Sequence, residues 1–335
     1  MYSSRIAGIG HYVPENVVTN KDLEKIMDTT NDWIVERTGV QERRWIDPAT
    51  DDMPSTMGTK AAKMAMKNAG ITPEAIDFII FATLSPDYYF PGPGVMVQEQ
   101  LGIPEIGALD VRNQCSGFLY SLSVADQFVK TGMYQNILVI GAENHSGGLD
   151  KTTRGRNVSV IFGDGAGAVV VQRSEQEGKG ILSTHLHSEG QHAKELALTG
   201  PNTAHWVDKI IEENDPTDES YYPYMNGSFV FKHAITRFGE VIGEALQANG
   251  YQSTDIDMFI PHQANLRISQ FVQKKMGLSD DQVYNNIMRY GNTTAASIPI
   301  AMSEAYQEGK IKEGDLVCLA AFGSGFTWAS ALIRW

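Results

Sequence analysis

The 335-residue chain has only two cysteines, Cys115 and Cys318, so no disulfide framework is implied and a reducing compartment suits it. It has no uninterrupted apolar run of about 18 residues, which leaves no candidate for a membrane-crossing helix. The opening residues, Met1 to Gly10, lack a charged stretch followed by a long apolar core, and a soluble cytoplasmic protein is expected. Basic residues are in the minority, 27 against 40 acidic ones. The resulting net charge of −13 argues against nucleic acid and anionic membranes as general partners, because both attract concentrated positive charge. An acidic partner would have to meet a local basic patch. No cysteine or carboxylate stands at ligand spacing from His185, His187 and His192, so no metal site is expected. The glycine run from Phe162 to Gly167 is not Gly-x-Gly-x-x-Gly and leads into a strand, which speaks against a dinucleotide fingerprint and for close backbone packing.

What is present is enough apolar sequence, 42% of residues, to bury a large core, in two domains or one large duplicated unit. A strand from Arg5 to Gly10 precedes a helix expected from about Asn20 with Asn20 as its cap. The next segment, Asn31 to Gly39, places Trp33 and Arg37 four residues apart on one helical face. A helix from about Ser55 to Ala69 leads to the apolar run Ile76 to Thr83, and this alternation of strand and helix indicates an α/β protein. Ile76-Asp-Phe-Ile-Ile80 recurs as Ile256-Asp-Met-Phe-Ile260, and Gln98 to Ile103 recurs as Gln273 to Leu278. Cys115 is followed 17 residues later by Gly132 and a strand; Asn292 is followed 17 residues later by Gly309 and a strand. Four matches in one order predict a duplication, with halves 1–174 and 175–335 meeting in the polar run Arg173 to Lys179. Pro201 to Tyr224 has no clear period and reads as an excursion or lid.

The duplication has a chemical consequence, since it puts Cys115 and Asn292 at corresponding helix starts that a pseudo-twofold axis would bring together. Cys115 opens a helix whose Phe118, Leu122, Ala125 and Val129 mark a buried side, so the helix N-terminus is expected to lower the thiol pKa. Pro261-His-Gln-Ala-Asn-Leu-Arg267 follows a buried strand, where α/β sheets bind ligands. Arg289 to Ser297 is a turn feeding another helix with Asn292 as cap. Taken singly, these residues read as a packed cysteine, a core histidine and a helix cap. Together, Cys115, His262 and Asn292 are the parts of a thiol-based acyl-transfer site.

At these residues the chain resembles the ketoacyl-acyl-carrier-protein synthases III, condensing enzymes of the thiolase superfamily. The likeness runs from Trp33-Ile-Val-Glu-Arg-Thr-Gly39 through the Cys115 helix, Phe162 to Gly167, Pro261 to Arg267 and Tyr290 to Ser297, to Ala321-Phe-Gly-Ser-Gly-Phe-Thr-Trp328. It implies a thiolase-like fold, a duplicated five-layered α-β-α-β-α architecture with two pseudo-twofold-related halves. It implies decarboxylative condensation of an acyl-CoA primer with malonyl-acyl carrier protein through an acyl-cysteine, with no metal or organic cofactor, in fatty acid or related synthesis. Cys115 would be the nucleophile, its backbone N–H and that of Ser324 the oxyanion hole, and His262 and Asn292 the donors to the malonyl thioester. Trp33, Arg37 and Asn265 would meet CoA together with Arg154 or Arg156; counting back six residues from Phe162 favours Arg156. Gln263, Ala264, Asn265, Leu266, Arg267, Lys232, Lys274 and Lys275 are candidates for meeting the carrier protein. Phe90 would close the acyl pocket, in some members of the family across the interface of a homodimer. Gln114, Ser324 and the long excursion depart from the common pattern and point to a primer longer than acetyl. The alternatives are a related condensing enzyme of secondary metabolism, a plant-polyketide type synthase, a cysteine peptidase or a non-catalytic carrier-protein binding module.

Overall fold

The computed structural model describes residues 2–176 and 178–335. Strand β1 (Ser3–Tyr12) is followed by a small ribbon, β2 (Val17–Thr19) and β3 (Glu42–Arg44), which brackets α1 (Asn20–Leu23) and α2 (Asn31–Thr38). The expected Asn20 helix is a single turn, and Thr19 rather than Asn20 caps it by accepting from the Asp22 N–H. The first half continues with α3 (Pro54–Ala69), β4 (Phe78–Ala82), α4 (Pro93–Gln100), β5 (Gly107–Val111), α5 (Gly117–Lys130), β6 (Asn136–Glu143), α6 (Arg156–Ser159) and β7 (Gly165–Ser174). Then come β8 (Gly180–Ser188), β9 (Leu196–Ala197), β10 (Tyr224–Met225), α7 (Gly227–Asn249), β11 (Met258–Pro261), α8 (Leu266–Met276), α9 (Ile287–Tyr290), α10 (Ser297–Gln307), β12 (Leu316–Gly323) and β13 (Thr327–Arg334).

Two sheets carry the fold. The first has the order β1-β7-β6-β4-β5, with β4 parallel to β5 and β6, and β7 antiparallel to β1 and β6. The second has the order β8-β13-β12-β11, with β11 parallel to β12, and β13 antiparallel to β8 and β12. Laid edge to edge the two match strand for strand, and the counterpart of β5 is reduced to one parallel bridge between Phe259 and Val283. This is the repeat expected from the sequence. Helices α5 and α10 lie between the sheets, α3 and α4 cover the outer face of the first, and α7 and α8 cover the outer face of the second. The architecture is therefore the five-layered one.

The layering follows from residue pattern. Phe118, Leu122, Ala125 and Val129 of α5 share one core with Val139 and Val169 of the first sheet and Val317 and Leu319 of the second. Every residue of α10 from Ser297 to Ala305 is buried, as a helix walled by sheets on both sides requires. The central strands β6 and β12, apolar on both faces, are covered by helices on both faces. In the glycine run a Cβ at Gly163 would stand 2.1 Å from the Tyr290 carbonyl oxygen, so close packing is what this glycine serves. Among the described residues no helix is long and apolar enough to cross a membrane.

Candidate active site

Cys115 lies in a 3-10 turn, Gln114–Ser116, immediately before α5, so the helix starts two residues later than the sequence reading placed it. Gln114 has φ of 43°, in the left-handed region, and turns the chain sharply from β5 into the helix. The strand end of β12 presses on the thiol: a Cβ at Gly323 would stand 2.4 Å from the Cys115 Cβ and 2.8 Å from its sulfur. This crowding reverses the expected ionisation. Burial, reinforced by the nearby Glu143 carboxyl, pushes the Cys115 thiol up to about 12, against the opposing effect of hydrogen bonds from the Ser324 and Cys115 backbone N–H groups. The helix end is present, and desolvation outweighs it.

The second half-site comes from the matching turn in the other half of the chain. Asn292 is locked to the first half by backbone bonds, its N–H donating to the Ile161 carbonyl (2.8 Å) and its carbonyl accepting from Gly163 (3.1 Å). Its Oδ1 accepts from the Thr294 N–H at 2.8 Å, bending the chain just ahead of the short turn Thr294–Ala296, whose cap position is Thr293, while that of α10 is Ala296. The amide nitrogen bonds to no group among the described residues, and the residue lines the same cavity as Cys115. The turns holding Cys115 and Asn292 touch, as a pseudo-twofold arrangement of the halves requires.

His262, just past β11, is buried with its Nδ1 at 2.6 Å from the Ser297 Oγ and its Nε2 without a partner among the described residues. Burial, then the neighbouring His145, lowers its pKa to about 3, so the ring is neutral. If the Ser297 hydroxyl donates to Nδ1, the proton of the neutral ring sits on Nε2, and the ring becomes a donor aimed at whatever enters the cavity. Ser297 ends the Tyr290 to Ser297 stretch, and spacing alone does not show its contact with His262, which depends on α10 and β11 being neighbours. Glu143 was also missed. It accepts from Thr83, Leu84 and Ser85 on one side and Ala295 on the other, beneath the junction of the two turns.

A cavity of about 630 Å³ joins Cys115, His262 and Asn292 to a mouth lined by Trp33, Arg37 and Arg267. Trp33 lies between two guanidinium groups, Arg37 at 4.5 Å and Arg156 at 5.2 Å from its ring centroid. Arg154 instead pairs with Asp150 at 2.6 Å and lies over Tyr222, so Arg156 is the arginine beside Trp33. Ala264 also lines the cavity. Lys232, Lys274 and Lys275 are exposed on the adjoining helices α7 and α8.

Two assignments need correction. Gln263 is buried rather than available to a carrier protein, its amide donating to the Pro261 carbonyl at 2.7 Å and its Oε1 accepting from Asn286 and Ile287. Asn265 lines the cavity, but its side chain stitches α8 to α2, accepting from the Arg267 N–H and donating to the Arg37 carbonyl, while Leu266 packs under Gly39. Phe90 is 80% exposed and does not line this cavity. His185 and His187 share Glu244, and no three potential ligand side chains converge on a metal position among the described residues. The Pro201 to Tyr224 excursion is closed at its base by β9 paired to β10, contains a π-helical turn, Asp208–Glu213, and rests Trp206 on Tyr89 with ring centroids 4.7 Å apart.

A thiol from one half and an imidazole and a carboxamide from the other line one cavity of a duplicated five-layered fold, the arrangement of an acyl-transferring condensing enzyme of the thiolase-like class. Comparison with known proteins narrows this. Residues 109–190 match the family model for 3-Oxoacyl-[acyl-carrier-protein (ACP)] synthase III, and residues 246–335 match the model for its C-terminal part. The chain is 45% identical over 331 residues to beta-ketoacyl-[acyl-carrier-protein] synthase III of Caldanaerobacter subterraneus subsp. tengcongensis, covering 98% of this chain and 97% of the relative. The solved 3-oxoacyl-[acyl-carrier-protein] synthase III of Aquifex aeolicus superposes with a TM-score of 0.89 at 42% identity, covering 99% and 100% of the two chains. The Thermus thermophilus enzyme superposes with a TM-score of 0.90 at 39% identity, covering 99% of each. The chain belongs to the 3-oxoacyl-acyl-carrier-protein synthase III family.

Proposed function

We propose that this protein joins an acyl-CoA primer to malonyl-acyl carrier protein, releasing CO2 and forming 3-oxoacyl-acyl carrier protein in the initiation of fatty acid synthesis. The observation that carries this reading is the pair of uncommitted donors, His262 Nε2 and the Asn292 amide, in the cavity that holds Cys115. The Cys115 thiol gives up its proton as its sulfur attacks the primer carbonyl, the bond to the CoA sulfur breaks, and CoA leaves as the thiol carrying that proton. The Cys115 and Ser324 N–H groups hold the tetrahedral oxyanion. The malonyl thioester then enters, and His262 and Asn292 donate to its carbonyl as the C–C bond to the carboxylate breaks. The electron pair left behind forms an enolate, which attacks the acyl-cysteine and returns the sulfur as thiolate. Preorganised donors of this kind are each worth about 3 to 4 kcal/mol. Acyl-CoA is a substrate, and the residues present supply the chemistry without a resident cofactor.

Trp33 with Arg37 and Arg156 takes the nucleotide end of CoA, and Arg267 with Lys232, Lys274 and Lys275 offers positive charge to an acidic carrier protein. The halves divide at 1–174 and 175–335, between β7 and β8. A homodimer is favoured by the edge strand β5, which has no neighbour on its outer side and exposes Gly107, Leu109 and Asp110. Phe90, two residues before Gly92, which packs against Asp110 of β5, would then reach the partner. The decisive experiment weighs the protein after incubation with acyl-CoA and follows CO2 release from malonyl-carrier protein. Wild type is expected to gain one acyl group on Cys115; Cys115→Ala should gain none, and His262→Ala or Asn292→Ala should load normally while CO2 release falls about 10²- to 10³-fold. Loading at another residue, or CO2 release unchanged in both donor variants, would overturn the proposal.

A further inference from the structure

We infer that the Ser324 hydroxyl is a positioning group: by donating to the Leu196 carbonyl it holds in place the turn that follows Gly323, the residue packed against Cys115. The inference deepens the reading above, in which the Ser324 N–H is half of the oxyanion hole. The turn Ser324–Phe326 joins β12 to β13 and contains Gly325 at φ 139°, a conformation for glycine alone, so its backbone has more freedom than an ordinary turn. Its far end is fixed by a reciprocal pair, Glu189 N–H to the Phe326 carbonyl (2.8 Å) and Phe326 N–H to the Glu189 carbonyl (2.9 Å). Its near end leaves the β12–β13 ladder at the Gly323–Thr327 pair, and beyond that pair Ser324 is held by Thr327 Oγ1 donating to its carbonyl at 3.2 Å and by its own hydroxyl.

Leu196 lines the cavity and begins β9, which pairs with β10 to close the base of the excursion. Ser324 therefore ties the oxyanion donor to the strand pair that closes the excursion.

The test compares Ser324→Ala, Ser324→Gly and Ser324→Thr with wild type in the rate of Cys115 alkylation by iodoacetamide against pH. Peptide mass separates Cys115 from Cys318, which is fully buried in β12. A second readout is kcat and KM for condensation. The alanine and glycine variants should shift the alkylation profile to higher pH, slowing the reaction at a fixed pH by up to about tenfold, one pKa unit. Their kcat should fall about tenfold with KM for acyl-CoA little changed, since the N–H acts on the oxyanion and not on the bound ground state. The threonine variant, which keeps the hydroxyl, should restore both. Alanine and glycine profiles that superimpose on wild type, or a threonine variant no better than alanine, overturn the inference. Alkylation needs no acyl substrate, so this comparison decides on Ser324 even if wild type fails to condense, an outcome that would sink the proposed reaction instead.

Discussion

At the scale of single residues, burial keeps Cys115 and His262 uncharged at neutral pH. Burial keeps His262 neutral, and in the proposed reaction a Ser297 hydroxyl that donates to Nδ1 leaves the ring proton on Nε2. Ser297→Ala should therefore lower CO2 release about 10- to 100-fold while Cys115 loading is unaffected, a split readable by acyl-enzyme mass against radiolabelled CO2. Burial also resists charge on Glu143. Burial raises its carboxyl pKa from 4.5 to about 7, so between those values the folded protein keeps a proton that the unfolded chain has lost. Its contribution is complete below pH 4.5 and is lost as pH rises to about 7, a loss on the order of 3 kcal/mol for a shift of this size. Glu143→Gln should flatten the denaturation midpoint across this window, and above it should speed Cys115 alkylation by removing a negative charge from beside the thiol.

At the scale of elements, the meeting of β12 with the Cys115 turn sets the thiol's environment. No side chain fits at the end of β12, because Gly323 already touches the cysteine. Gly323→Ala is expected to stay folded, as the displaced atoms border a cavity, but to shift Cys115 off line and reduce acyl loading at least tenfold, with a stability loss of about 1–3 kcal/mol. Circular dichroism with loading kinetics separates the two effects. The same element logic explains why Phe118, Leu122, Ala125 and Val129 were legible from spacing: their helix has a sheet on each side, and both sheets demand apolar contact. The Asn20 segment was overread because Thr19 offers the better cap and the helix ends after one turn.

At the scale of the whole molecule, the first sheet ends in β5, whose outer edge has no partner strand, whereas the second sheet lacks the equivalent strand. An edge of this kind invites pairing with a second copy. Leu109→Lys, which sets a charge on that edge, should convert a dimer to monomer in sedimentation at micromolar concentration. If Phe90 completes the partner's acyl pocket, the same variant should also alter which primer lengths load. A wild type that sediments as a monomer would remove the basis for both outcomes.

The sequence by itself determined the α/β class, the duplication and the identity of Cys115, His262 and Asn292, because periodicity, internal repeats and scarce residue types are properties of a string. Only the tertiary structure decided which of those groups are charged and which are reachable. Gln263 reads like its neighbours in the motif, yet it is consumed by Pro261, Asn286 and Ile287. Phe90 reads as a pocket wall, yet it faces outward in a single chain. The thiol at a helix start reads as acidic, yet desolvation by β12 and the Glu143 carboxyl raise its pKa. Burial, unlike spacing, is set by segments far apart in the chain, and ionisation follows burial.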